Sequence, residues 1–152
     1  MAKARKILQV VNNLKDHKFG RILVFTGARQ VGKTVFVRQF LPEYRYLSIE
    51  DPTKIGQFTT LTAEQWHSLY PKAALDEIQK EPVLVESIKA TYDQFDDVRY
   101  ALLGSSQILL LKKVHESLAG RCSLIDVYPL TLKELQTNSF NDVVADSAWQ
   151  TI

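Results

Sequence analysis

Hydrophobic positions follow two alternating rhythms along this chain. Ile7, Val10, Val11 and Leu14 keep helical spacing, so the pattern predicts an amphipathic helix over 3–17, broken at Phe19-Gly20. RILVFTG (21–27) is a short apolar run ending on glycine, which suits a buried parallel strand. A loop, GARQVGKT (27–34), leads into TVFVRQFLP (34–42), a helix closed before Pro42. YRYLSIE (44–50) is rich in β formers and predicts a second strand, ended by a turn at Glu50-Asp51-Pro52. Residues 53–70 are mixed and polar, with a short helix expected in LTAEQWHSLYP and Thr62 as its N-cap.

KAALDE (72–77) reads as a strand by context, since its β propensity is weak. Pro82 suits N1 of a helix reaching about Phe95, with Leu84, Ile88, Tyr92 and Phe95 on one apolar face. VRYALLGSS (98–106) is a fourth strand, and QILLLKKVHESLAG (107–120) a helix with Gly120 as its C-cap residue. RCSLIDVYPL (121–130) is a fifth strand stopped by Pro129. Thr131 and Glu134 then have capping-box spacing. The pattern weakens after about residue 137, so 1–136 is read as the core and 137–152 as a tail or linker. Strands alternating with helices predict an α/β domain, with helices on both faces of a mainly parallel sheet.

Composition narrows the class. At 152 residues the chain fits one domain. No apolar run is long enough to span a membrane, and the basic N-terminus lacks a signal-peptide h-region, so a cytoplasmic location is expected. The single Cys122 cannot form an internal disulfide and opens an apolar run, so it reads as a core residue. The net charge of +2 hides an asymmetry, because residues 1–38 hold nine Lys/Arg and one acid, Asp16. Such a basic quarter suits an anionic ligand. It reads as a solvated helix face plus a phosphate loop rather than a nucleic-acid patch, since no basic-aromatic stripe accompanies it.

The loop carries the chemistry. GARQVGKT matches G-x-x-x-x-G-K-[ST] in full and lies between a predicted strand and helix. Gly27 and Gly32 let the backbone curl, so that the amides of Gln30, Val31, Gly32, Lys33, Thr34 and Val35 can point at phosphate oxygens. The following helix adds its positive end. Lys33 is placed to reach β- and γ-phosphates, and the Thr34 hydroxyl to ligate Mg²⁺. In LDEIQ (75–79), Asp76 at a strand end can hold Mg²⁺, and Glu77 can orient or deprotonate an attacking water. Ser105 or Ser106 could touch the γ-phosphate or cap the next helix; the sequence does not choose between them. Arg121 could project towards a neighbour's nucleotide or interact with a helix dipole. Gly27, Asp76-Glu77 and Ser105-Ser106 all fall at predicted strand C-terminal ends, where ligands sit in such sheets. Arg29 lies in the loop, and Glu50-Asp51 could join the polar network or make an Asp-Pro turn. His17, His67 and His115 share no spacing and receive no ligand role, and Trp66 and Trp149 read as packing residues.

GARQVGKT, LSIEDP, LDEIQKEP, ALLGSSQ, and ESLAGR leading to VYPLTLKEL together resemble a family of prokaryotic AAA-like P-loop ATPases. These carry a GxRQVGKT Walker A loop, an LDEIQ Walker B and a GR motif, and the resemblance runs from about residue 5 to 136. It implies an ATPase core with strand order 5-1-4-3-2. ATP and Mg²⁺ would be held by Lys33, Thr34 and Asp76, with Glu77 catalytic, Ser105 or Ser106 at the sensor position and Arg121 at the arginine-finger position. It also implies a homo-oligomer through Arg121. Members usually continue into a helical lid and a C-terminal domain, so an excised ATPase domain or a short gene product is expected, with any nucleic-acid or protein partner acting through that further region. Three readings follow: an ATPase, a nucleotide-gated switch with little turnover, and a small-molecule kinase. The kinase is disfavoured because no arginine-rich lid segment follows the sheet.

Overall fold

The structure is a computed structural model that describes residues 6–14, 16–17, 20–105 and 108–138. Five parallel strands form one sheet: β1 (Ile22–Gly27), β2 (Arg45–Ser48), β3 (Lys72–Asp76), β4 (Arg99–Ser105) and β5 (Ser123–Asp126), in the order β2-β3-β4-β1-β5. Read from the other edge, this is the 5-1-4-3-2 order that the motifs imply. The helices are α1 (Ile7–Leu14), α2 (Lys33–Phe40), α3 (Pro52–Thr59), α4 (Ala63–Leu69), α5 (Val83–Gln94), α6 (Ile108–Leu118) and α7 (Leu132–Leu135).

Alternation along each strand divides the core. Ile22, Val24, Ala73, Leu75, Tyr100 and Leu102 face Phe58, Trp66, Leu84, Ile88, Val114 and Leu118, so α3–α6 cover that side. Leu23, Phe25, Ala74, Ala101 and Leu103 face Val11, Phe36 and Val37, so α1 and α2 cover the other. Both faces of β1 and β4 are therefore buried, which explains their unbroken apolar runs. The same parity puts Tyr46, Ser48 and Asp76 on the α2 side, a placement the site depends on.

Several expected elements are corrected. The Asp51-Pro52 turn is the start of α3: Asp51 is its N-cap, accepting the Thr53 amide at 3.0 Å, and Pro52 fills the first turn, where a missing N–H costs nothing. Residues 53–70 thus hold two helices, not one. Pro82 sits at the N-cap of α5 instead of N1. The fifth strand keeps only Ser123–Asp126, because as an edge strand it pairs with β1 alone; Arg121 lies in the turn after α6, and Cys122 links that turn to the strand. Of the expected helix 3–17, Ile7–Leu14 is helical and residues 6, 16 and 17 are not, while residues 3–5 and 15 lie outside the described residues. The capping boxes at Thr62/Gln65 and Thr131/Glu134 both form, each cap contributing about 1 kcal/mol. Trp66 is fully buried, whereas Trp149 lies outside the described residues. No helix among the described residues is long and apolar enough to cross a membrane.

Cys122 is half-buried against the α3–α6 core, and that burial pushes its thiol up from the ordinary value. Less thiolate at neutral pH means a slower nucleophile. Alkylation by iodoacetamide at pH 7.5 is expected to be at least several-fold slower in the folded protein than in urea, read by mass spectrometry.

Candidate active site

The loop between β1 and α2 is shaped by three unusual backbone positions. A Cβ at Gly27 would meet the Val127 carbonyl oxygen at 2.3 Å, so only glycine fits where the chain leaves β1. Gly32, with φ 90°, turns the chain into α2 and caps it without any side-chain acceptor, leaving the first-turn amides without that partner. Gln30 has φ 64° and Glu77 φ 59°; among the described residues these are the only non-glycines with positive φ. Both lie at the carboxyl edge of the sheet, and strain of this kind gathers at functional sites.

Lys33 is buried, 8% exposed, and its Nζ donates to the Gly27 and Ala28 carbonyls at 2.8 and 2.7 Å. Burial pulls its ammonium below the ordinary lysine value, opposed by the charges of Glu77 and Asp76. Thr34, one residue on, donates its hydroxyl to Asp76 Oδ2 at 2.6 Å, joining the loop to the end of β3. Asp76 is 4% exposed and accepts twice more, from the Tyr46 phenol at 2.5 Å on Oδ2 and from the Glu77 amide at 2.8 Å on Oδ1. Glu77 begins a 3-10 turn (Ile78–Lys80), and its Oε2 accepts from Gln79 Nε2 at 2.5 Å.

Ser105 ends β4 level with Gly27, and its buried Oγ has no hydrogen-bond partner among the described residues. A buried orphan hydroxyl is the sort of group a ligand can satisfy. The other candidate, Ser106, lies outside the described residues.

Lys33, Thr34, Asp76, Glu77 and Ser105 are thus assembled at one edge of the sheet. Arg121 is not with them. It precedes β5 at the amino-terminal edge, where its guanidinium grips Asp93 of α5 at 2.7 and 3.1 Å. Arg29 is exposed, and Glu50 pairs with Lys80 at 2.9 Å. His67 stacks on Phe95, with centroids 4.0 Å apart, and binds Asp97. Among the described residues no three His, Cys, Asp or Glu side chains group to hold a metal. A cation here would take oxygens from Thr34, Asp76 and its ligand, a hard donor set that suits Mg²⁺.

Two contributors escaped the sequence reading. Tyr46 was visible only as a β former, and its proximity to Asp76 comes from the pairing of β2 with β3. Gln79 stood within LDEIQ with no role of its own, although a polar side chain two residues after an acid at a tight turn was an available signal.

A five-stranded parallel sheet in this order, with a glycine loop between β1 and α2, defines a P-loop nucleoside triphosphatase fold. A family model described as an AAA domain matches residues 20–136, and the chain belongs to that family. AAA domains are nucleotide-binding domains of the ATPase type. Among curated proteins no relative matches the chain.

Proposed function

We propose that the chain binds ATP and hydrolyses it to ADP and phosphate, with Mg²⁺, driving a conformational change. The observation that carries this reading is the 2.6 Å hydrogen bond from Thr34 to Asp76, which brings the phosphate loop and the acidic strand end into one site.

Each role follows from the chemistry of the group. The amides of Gln30–Val35 and the end of α2 present partial positive charge to the phosphates. Lys33 exchanges its two carbonyl partners for phosphate oxygens. Thr34 donates its one O–H to Asp76 in a hydrogen bond, which leaves its lone pairs free for a cation. Thr34 and Asp76 would hold Mg²⁺, which would supply positive charge to offset that of the phosphates. Glu77 accepts a proton from water as the water oxygen bonds to the γ-phosphorus, and the bond to the β-phosphate oxygen breaks. Ser105 donates its hydroxyl to the γ-phosphate side.

Arg121 acts, on this reading, in a neighbouring copy's site after leaving Asp93. Phosphate release across a protein concentration series tests this. Specific activity is expected to rise with concentration, and Arg121→Ala is expected to remove the rise, at least 10-fold at the highest concentration. If Arg121 only anchors α5, then Arg121→Ala and Asp93→Ala will lower stability alike and leave turnover per bound nucleotide unchanged. No phosphate release at any concentration would overturn the enzyme reading in favour of a nucleotide-gated switch.

A further inference from the structure

We propose that Tyr46 is a positioning residue of the cation site, its phenol fixing Asp76 so that Thr34 can present lone pairs to Mg²⁺. The inference rests on the reading that Thr34 and Asp76 hold the metal.

The contacts form a closed circuit across three elements. Thr34 and Arg38 lie one turn apart on α2, on the same side of the helix. The Arg38 guanidinium sits over the Tyr46 ring, 4.0 Å from its centroid. Tyr46 on β2 donates to Asp76 Oδ2 at 2.5 Å, and Thr34 donates to the same oxygen at 2.6 Å. The Glu77 amide holds Oδ1 at 2.8 Å. Three donors therefore restrain a carboxylate that is almost wholly buried. Two of them belong to the phosphate loop and the acidic motif themselves; Tyr46 is the one supplied from outside.

A hydroxyl has a single proton to give. Thr34 spends it on Asp76, so the direction of its lone pairs depends on where that carboxylate sits. Removing the phenol frees one anchor of Oδ2 and loosens that direction. Outer-shell partners of metal ligands typically matter by 10- to 100-fold in metal affinity. Lys33 and the loop amides do not depend on Tyr46, so metal-free nucleotide binding is expected to be untouched.

The test is Tyr46→Phe, which keeps the ring under Arg38 and removes only the hydroxyl. A fluorescent, non-hydrolysable ATP analogue is titrated in EDTA, and Mg²⁺ is then titrated at fixed analogue. The expected result is unchanged affinity in EDTA and a half-saturating Mg²⁺ concentration raised on the order of 10-fold. A wild-type Mg²⁺ response in Tyr46→Phe would overturn the proposal. So would an equal loss with and without Mg²⁺, the outcome a merely structural tyrosine gives. Unsubstituted protein that binds the analogue with no Mg²⁺ dependence, or not at all, would remove the metal-site reading itself, and that failure is visible without any variant.

Discussion

Glu77→Gln is expected to lower phosphate release by about 100- to 10,000-fold while leaving ATP bound, because on the proposed reading it removes the general base and little else. The substitution keeps the shape, and the amide oxygen can still accept from Gln79, which donates to Glu77 at 2.5 Å. It deletes the negative charge that would draw a proton from water. Lys33 also sees one less carboxylate, since Glu77 and Asp76 both favour its charged form. The checks are phosphate release and nucleotide affinity on the same preparation. Loss of turnover at full occupancy assigns Glu77 to the chemical step; near-normal turnover would mean that water is activated elsewhere.

Lys33→Ala is the second large effect, and it falls on binding. The ammonium is held between two loop carbonyls at the entrance of an uncapped helix, and on the proposed reading phosphate oxygens would replace these partners. A hydrogen bond between charged groups contributes about 1.5–3 kcal/mol, and two of them to phosphate predict an affinity loss on the order of 100-fold or more. The empty protein is expected to stay folded, because the amides and Gly27 keep the loop shape and alanine is an ordinary helix residue. Calorimetric titration with ATP and Mg²⁺, beside a thermal melt, separates lost binding from lost structure. Unchanged affinity would exclude Lys33 from phosphate contact.

What could be read in advance depended on whether a residue's role is local. GARQVGKT declares itself because its glycines, lysine and threonine act within eight consecutive positions. The strand count was legible because β1 and β4, buried on both faces, are continuous apolar runs. LDEIQ was legible as a strand end with adjacent acids. Roles created by pairing were not. Tyr46 meets Asp76 only because β2 lies beside β3, with Tyr46 opposite Ala74 and Ser48 opposite Asp76. The start of α3 was hidden because Asp-Pro serves equally as a turn and as an N-cap followed by N1. The true length of the fifth strand was hidden because an apolar run does not say which residues find a pairing partner, and β5 has one on a single side. Arg121 could be placed near a helix end, but its grip on Asp93 came from the packing of α5 against α6.

The most direct measurement is calorimetric titration of the purified unsubstituted protein with ATP in excess Mg²⁺, followed by the same titration in EDTA. The site described here predicts saturable binding of one ATP per chain, weakened when the cation is chelated and displaced by ADP. An absence of saturable binding at millimolar ATP would contradict the account at its centre, because nothing else proposed for Asp76, Glu77 or Arg121 has meaning without a nucleotide in the loop.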